Sequence, residues 1–439
     1  MNSNKAMRRT GRIGGWRALV ALLAVAGCDF NVTNPGPAQD EFLDNASAAN
    51  GVVAGAHRAY NDAWNEVATI SASLTREYFP SGNTGYKGVT ALERQGLTRP
   101  DDRSSHWNTS QNARWVAENA VERFQKNLGT GFSKSPLAAE SYLWAAYSNR
   151  IIGETFCESV VNGGPVVPRE DHFRRAEDNF TKAMDIAKAA SLGDMALAAQ
   201  AGRASVRASL GNWTGAVTDA LAIPADFKFQ TKFSGNAEEA NNAIYLGQTT
   251  FTTGTTWNTF YDSYYTATRD PRTPWLFDPA KPVGIAGIGT YGRVPFHAPR
   301  KYTTADAPAT LSSGREMLLL RAEKLLIDGD WQGAMTLVNQ VRTSTKGATL
   351  APWPASNLQE AWTAFARERG IELWLEGRTM WDRFRWARDK RPITLSIWEM
   401  PSTTQPVHEK GAGTYLSPDH VYCYPIPQVE QLTNPNVPR

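Results

Sequence analysis

Residues 367–386, RERGIELWLEGRTMWDRFRW, decide the architecture that we expect for this chain. Apolar side chains recur there at helical spacing, which predicts one amphipathic helix with a broad apolar stripe. The stripe consists of Ile371, Leu373, Trp374, Leu375, Met380, Trp381 and Phe384. A helix this rich in tryptophan must bury its apolar side, so we expect it to be a central packing element.

The charged residues of this stretch indicate what must surround it. Glu368, Glu372 and Glu376 are spaced i,i+4 and repel one another, so each needs a cationic partner from another segment. Arg378 precedes Asp382 by four residues, a spacing that favours an ion pair within one helix. We therefore interpret these carboxylates as ion-pairing and packing groups and not as catalytic acids.

An internal repeat predicts how the rest of the chain folds. Residues 203–220 align without gaps on residues 321–338, and Gly211 with Trp213 recurs as Gly329 with Trp331. The glycine marks a turn between two antiparallel helices, and small residues beside it allow the helices to approach closely. Such tetratricopeptide-like hairpins bury their faces on neighbours, so we expect a mostly α array of them.

The amino terminus has the features of an export signal. Basic residues precede a short apolar run, residues 18–26, which ends in Val25-Ala26-Gly27-Cys28 and resembles a bacterial lipobox. We predict a signal peptide over 1–27, lipidation of Cys28, a tether over 28–44 and one domain over 45–439. Asp29 retains lipoproteins at the inner membrane in some bacteria, so this motif alone leaves the destination open.

The remaining cysteines, Cys157 and Cys423, allow two arrangements. They form one long-range disulfide in an oxidising compartment, or they remain two buried thiols. No later segment is apolar over the roughly 20 residues that a membrane-spanning helix needs.

The chain contains more aromatic residues than a plain helical scaffold needs: 15 Trp, 14 Tyr and 17 Phe. Many lie in an early irregular stretch, residues 76–88, and in the loop-rich region 247–313, with a second loop-rich region over 391–439. Aromatic faces stack on the apolar face of a pyranose while polar neighbours bind its hydroxyls. The predicted ligand-binding residues are Arg76, Tyr78, Asn83, Tyr86, Trp257, Tyr261, Tyr264, Tyr265 and Tyr291. The alternative is that these rings pack the loops onto the helical core, 45–246 and 314–390.

Motifs for catalysis are sparse. The six histidines are scattered without metal-site spacing, and the chain has neither a phosphate-binding Gly-rich loop nor a nucleophile elbow. The net charge of +3 is too small to favour nucleic acid as a partner. We therefore expect a protein without metal or cofactor that is not an enzyme.

Several motifs, in order, resemble those of the SusD/RagB family. The pattern E-R-x-x-E-L-x-x-E-G-x-x-x-x-D-x-x-R-W, from Glu368 to Trp386, resembles the late helix of that family. Residues 270–272 (D-P-R) and 425–435 (P-I-P-x-x-E-x-x-x-N-P) resemble two further elements. The resemblance implies a core of tetratricopeptide-like pairs, with ligand contacts from loops equivalent to the two aromatic ones.

The resemblance also implies a function. It predicts an outer-membrane lipoprotein at the cell surface that captures a nutrient and delivers it to a SusC-like TonB-dependent transporter. The nutrient that we expect is an oligosaccharide. One alternative is a tetratricopeptide-like scaffold lipoprotein that assembles envelope proteins. The other is a carbohydrate-active enzyme.

Overall fold

The computed structural model describes residues 40–81, 90, 92–93, 96–102, 104–284, 294–394 and 420–438. The chain divides into two compact units, Met1–Ala48 and Ala49–Arg439. In the first unit, the described residues form short 3-10 helices at Asp40–Asp44 and Ala46–Ala48. The second unit contains all the elements considered below.

Helices make up most of the second unit, which confirms the predicted mostly α class. In chain order they are α1 Ala49–Leu74, α2 Ser105–Asn127, α3 Pro136–Thr155, α4 Arg169–Ala189, α5 Gly193–Ser209, α6 Trp213–Leu221, α7 Ala243–Thr249, α8 Phe260–Thr268, α9 Gly314–Ile327, α10 Trp331–Thr343, α11 Leu358–Glu372, α12 Thr379–Arg388 and α13 Gln428–Thr433. Within the described ranges, no helix combines the length and apolar character needed to cross a bilayer.

Successive helices pack against each other as hairpins, with α3 near the middle. This helix begins at Pro136 with Ser135 as its N-cap, and it contacts α1, α2, α4 and α5. Its residues from Leu143 to Thr155 are all buried. A helix that is buried all round belongs to the centre of a large core.

The two repeated segments form hairpins with the same turn. Gly211, with φ of 79°, ends the first helix of the α5–α6 hairpin, and Gly329, with φ of 87°, does so in the α9–α10 hairpin. Asn212 and Asp330 then cap the second helices by accepting from the N–H groups three residues later, at 3.0 and 2.9 Å. The predicted helical hairpins are therefore confirmed, and α6 packs on α9 to join them.

The stretch that we expected to be one helix is broken in two. Helix α11 ends at Glu372 and α12 begins at Thr379, with Leu375 (φ 57°) and Gly377 (φ 74°) in the left-handed region between them. The prediction of a continuous helix was wrong because distant contacts stabilise the break: the Leu375 N–H donates to Glu77 Oε1 at 2.7 Å. A side chain at Gly377 would lie 3.3 Å from the Ala68 backbone of α1, so this turn fits closely against the first helix.

The predicted pair between Arg378 and Asp382 was also wrong, because each residue pairs with a partner from another helix. Its guanidinium lies 2.9 Å from Glu316 and 3.1 Å from Glu154. Asp382 instead pairs with Arg369 at 2.7 Å.

The three glutamates do have partners from elsewhere, as predicted. Arg272 contacts Glu368 at 2.6 Å and Glu372 at 2.9 Å. Lys301 contacts Glu376 at 2.8 Å. Both cations belong to the region 247–313, so these pairs fasten that region to the end of α11.

Short antiparallel strand pairs complete the described fold. They are β1 Phe79–Pro80 with β5 Gly254–Thr255, β2 Glu158–Val160 with β3 Val166–Pro168, β4 Lys228–Thr231 with β8 Ala309–Ser313, and β6 Trp275–Phe277 with β7 His297–Pro299. Cys157 and Cys423 form a disulfide, which settles the alternative left open by the sequence. It fastens the C-terminal segment beside the end of α3.

Candidate ligand-binding face

Some predicted site residues lie outside the described ranges. These are Asn83, Tyr86 and Tyr291, together with the predicted lipidation site Cys28. The other predicted residues can be placed, and they divide into a buried group and a half-buried group.

Arg76 and Tyr78 lie inside the protein where the chain leaves α1. Arg76 is 3% exposed and has a φ of 62°, and its Nη1 donates to the Ser73 carbonyl at 3.2 Å. The Tyr78 hydroxyl donates to the Thr69 carbonyl at 2.9 Å. In this structure both side chains face the helical core and neither is open to solvent.

Tyr261 and Tyr264 of α8 are also buried. The Tyr261 hydroxyl donates to the Gly370 carbonyl at 3.1 Å, and its ring stacks on Trp374. The Tyr264 hydroxyl donates to Asp270 at 2.6 Å and accepts from Arg342 at 2.9 Å. Burial and the bond to Asp270 raise the pKa of Tyr264 to about 12, so it remains a donor at neutral pH. Tyr261 thus holds α8 against α11, and Tyr264 holds it against α10.

Trp257 and Tyr265 are half-buried and keep part of their rings at the surface. Trp257 meets Phe79 edge-on, with 6.1 Å between ring centroids. Tyr265 lies 6.1 Å from Trp275, and the Arg269 guanidinium covers one side of its ring at 5.2 Å.

Tyr265 is part of an aromatic cluster that we define as Tyr265, Trp275, Phe277 and His297. Trp275 and His297 stack with centroids 4.3 Å apart and planes inclined by 7°. Phe277 is paired directly with His297 across β6 and β7 and meets it edge-on at 5.8 Å. Phe277 is 44% exposed, so the cluster opens to solvent on this side.

Sequence reasoning did not select Trp275, Phe277 or His297 as site residues. A signal for two of them exists, because Trp275 and Phe277 are two residues apart in a strand and therefore share one face. His297 comes from the partner strand, and nothing in its local sequence indicates the stack.

Asp262 of α8 holds the aromatic cluster in position. Its Oδ1 lies 3.1 Å from His297 Nδ1, and its carbonyl accepts from Trp275 Nε1 at 3.2 Å. The His297 backbone is bonded as well, since its N–H donates to Thr255 Oγ1 at 2.8 Å. The rings are thus fixed before any ligand arrives, which lowers the entropy cost of binding.

The arrangement suits binding by stacking. Half-exposed rings present flat apolar surface, while Asp262 and the edge of His297 provide polar groups beside it. Among the described residues, no group of three or more His, Cys, Asp or Glu side chains has metal-site geometry.

Comparison with known proteins agrees with this fold. A SusD-like carbohydrate binding protein from Bacteroides fragilis NCTC 9343 superposes with a TM-score of 0.63 at 16% identity, covering 90% of this chain and 100% of that one. A SusD superfamily protein from Bacteroides thetaiotaomicron VPI-5482 gives 0.62 at 13% identity, covering 90% and 99%. Residues 315–439 match the model of the SusD family. The C-terminal part of the chain therefore resembles the SusD family, and the fold is that of SusD superfamily proteins.

The family segment begins in α9 and includes α10 to α13, and thus the stretch from which the sequence analysis started. A third similar structure, a SusD superfamily protein from Bacteroides vulgatus ATCC 8482, has a TM-score of 0.59 at 13% identity and covers 90% of this chain and 98% of that one. No curated protein matches the chain. At these identities the structural likeness concerns the fold, and the ligand must be argued from the residues present.

Proposed function

We propose that the protein is a lipid-anchored protein of the outer-membrane surface that captures an oligosaccharide and delivers it to a SusC-like TonB-dependent transporter. The observation that carries the proposal is the aromatic cluster, which is rigidly held and open on the Phe277 side. Capture requires no chemical step, because stacking and hydrogen bonding to a preformed surface suffice.

Three further observations support parts of this proposal. The Bacteroides fragilis protein of the same fold is described as carbohydrate binding. The lipobox-like residues before Cys28 support an anchor. The match of residues 315–439 to the SusD family model supports a transporter partner, because the resemblance to that family implies one. Of the residues predicted from sequence, Trp257 and Tyr265 remain proposed contacts, and Trp275, Phe277 and His297 join them.

The test is binding of a glycan panel by the purified protein, followed by calorimetry with the best ligand. Phe277→Ala should weaken binding about tenfold, because truncating a central stacking residue costs more than about 1 kcal/mol. Trp275→Ala should cost at least as much, and Trp257→Ala and Tyr265→Ala test the flanking contacts. The matched control is Trp115→Ala, since Trp115 is 53% exposed but lies on α2.

Equal affinity of Phe277→Ala, Trp275→Ala and the control would contradict the proposed face. An unchanged far-UV spectrum and a cooperative unfolding transition would show that the variants are folded. Release of shorter saccharides from the bound glycan would instead indicate an enzyme.

A further inference from the structure

We propose that the captured saccharide is acidic, and that a basic pocket beside the aromatic cluster binds its carboxylate or sulfate group. This inference rests on the proposed function and specifies the ligand of that same face. The pocket has a volume of about 280 Å³. The basic residues that line it are Lys228, Arg272, Arg300 and Lys301.

The pocket adjoins the strands that carry the aromatic cluster. Pro274 and Arg300 both line it, and they are the direct neighbours of Trp275 in β6 and of Pro299 in β7. Trp275 and Pro299 are paired in register, and the Arg300 N–H donates to the Pro274 carbonyl at 2.7 Å. Neighbouring residues of a strand are about 3.3 Å apart but face opposite sides, so a ligand that stacks on Trp275 must bend around the Pro274–Arg300 end of the strand pair to reach the pocket. This requires an oligosaccharide of two or more units.

The acidic residues at the pocket already have cationic partners. Glu372 pairs with Arg315 at 2.7 Å and with Arg272 at 2.9 Å. Glu376 pairs with Lys301 at 2.8 Å. Arg272 is further neutralised by Asp270, at 2.7 Å. These carboxylates therefore have no capacity left to balance additional positive charge.

Lys228 and Arg300 supply that additional charge. In the part of the chain that the structure describes, neither has a carboxylate within 4.0 Å. Four basic residues line the pocket against two acidic ones, Glu372 and Glu376, an excess of two positive charges. An anion entering the pocket would meet an attractive field that is strengthened by the partly desolvated walls.

Arg300 also has an unsatisfied donor. Its Nε is buried and finds no acceptor among the described atoms. A buried N–H without a partner is unfavourable, so a bound acceptor would be favoured there. The planar guanidinium matches the paired oxygens of a carboxylate or sulfate, and charge-assisted bonds of this kind are among the stronger ones.

Neutral groups in the pocket suit the rest of a sugar unit. Gln230 and Thr310 face each other across β4 and β8, and both are half-buried. Their amide and hydroxyl can bind sugar hydroxyls. A second cavity, about 690 Å³, is less suitable because Asp62, Glu66, Glu238 and Glu239 line it and would repel an anion.

The experiment is calorimetry on the purified chain with four probes. They are the galacturonic acid tetramer, its fully methyl-esterified form, a sulfated chondroitin tetrasaccharide, and inorganic phosphate. The methyl ester keeps the sugar backbone and removes the charge. Arg300→Gln and Lys228→Gln remove the two unbalanced cations, and Lys188→Gln is the control, because Lys188 is exposed at the end of α4.

We expect at least one acidic tetrasaccharide to bind about tenfold or more tightly than the methyl ester, with affinity that falls as salt is raised. Arg300→Gln should weaken that binding about ten- to hundredfold, the range for a hydrogen bond to a charged group. Lys188→Gln should leave it unchanged. Comparing the carboxylated with the sulfated tetrasaccharide identifies which anionic group the pocket takes. The melting temperature of Arg300→Gln should equal that of the wild type, because Arg300 has no ion pair to lose.

Two results would overturn the inference while the proposed function stands. In the first, the methyl ester binds with the same affinity as the acidic tetrasaccharides. In the second, Arg300→Gln and Lys228→Gln leave the affinity for the acidic tetrasaccharides unchanged. Phosphate binding as tightly as the tetrasaccharides would assign the pocket to a free anion and also overturn it. If no saccharide binds, both the inference and the proposed function fail.

Discussion

At the scale of single residues, Glu77 shows how one buried group supports a distant turn. Its side chain is fully buried, its Oε1 accepts from the Leu375 N–H, and its carbonyl accepts from Trp374 Nε1 at 2.9 Å. Burial raises the pKa of Glu77 from 4.5 to about 7, although the Leu375 N–H and Arg383 oppose the shift. The break between α11 and α12 thus depends on a carboxyl group that titrates near neutral pH.

The pH dependence of stability follows from this shift. Glu77 binds its proton more tightly in the folded chain than in the unfolded one, so unfolding releases a proton between pH 4.5 and about 7. Glu77 contributes its full stabilisation below pH 4.5, and this stabilisation is lost as the pH rises to about 7. The total loss in the free energy of unfolding is about 3 kcal/mol.

We predict that Glu77→Gln removes this loss. The free energy of unfolding in urea should be similar for wild type and variant at pH 5, and higher for the variant at pH 8 by up to about 3 kcal/mol. His172 contributes to the pH dependence in the opposite direction, because burial lowers its pKa to about 3. This contribution is the same in both proteins, so it cancels when their free energies of unfolding are subtracted. Glu122→Gln, at an exposed position of α2, is the control. Parallel pH profiles of wild type and Glu77→Gln would contradict the prediction.

At the scale of elements, the repeated hairpins depend on one backbone conformation each. A Cβ at Gly211 or Gly329 would meet no atom within 4 Å, so only the positive φ restricts these positions. An L-residue in that region costs about 1–2 kcal/mol. The requirement for glycine is therefore conformational and not a matter of space.

We predict that Gly211→Ala and Gly329→Ala each lower the free energy of unfolding by about 1–2 kcal/mol. Gly55→Ala is a matched control, since Gly55 also has open space around it but lies inside α1. There alanine should stabilise the chain by about 0.5–1 kcal/mol. Urea unfolding measures all three, and an equal effect at Gly55 and Gly329 would show that φ does not decide the outcome.

At the scale of the whole molecule, a buried ion-pair network joins helices that are far apart in sequence. Arg378 links Glu154 of α3 with Glu316 of α9. Burial lowers the pKa of Arg378, but the two carboxylates raise it further, so it remains charged. At the other end, Arg385 joins Asp382 to Glu323. The late part of the chain is held to the early helices by charge as well as by its tryptophans.

We predict that Arg378→Met lowers the free energy of unfolding by about 3–5 kcal/mol, because it leaves buried Glu154 and Glu316 with only the more distant Arg150 and Arg369, at 3.7 and 3.8 Å. Arg174→Met is the control: Arg174 pairs with Asp171 at the surface, and losing such a pair costs about 1 kcal/mol or less. Denaturant unfolding at one pH compares the two. A loss for Arg378→Met no larger than that of the control would show that the network does not contribute to stability.

The sequence by itself determined the features that depend on a few neighbouring residues. Helical spacing, the Gly-Asn/Asp-Trp turns and the repulsion among Glu368, Glu372 and Glu376 act locally, so the hairpins and the need for outside cations could be predicted. The C-terminal motifs indicated the resemblance to the SusD/RagB family for the same reason.

Only the tertiary structure decided which rings are buried and where the late helix breaks. Leu375 takes a left-handed conformation because Glu77, 298 residues away in sequence, accepts its N–H. Tyr261 is buried because Gly370 and Trp374 are packed over it, whereas the Trp275–His297 stack stays half-open on paired strands. Burial and pairing are properties of distant atoms brought together, and no local pattern of residues encodes them.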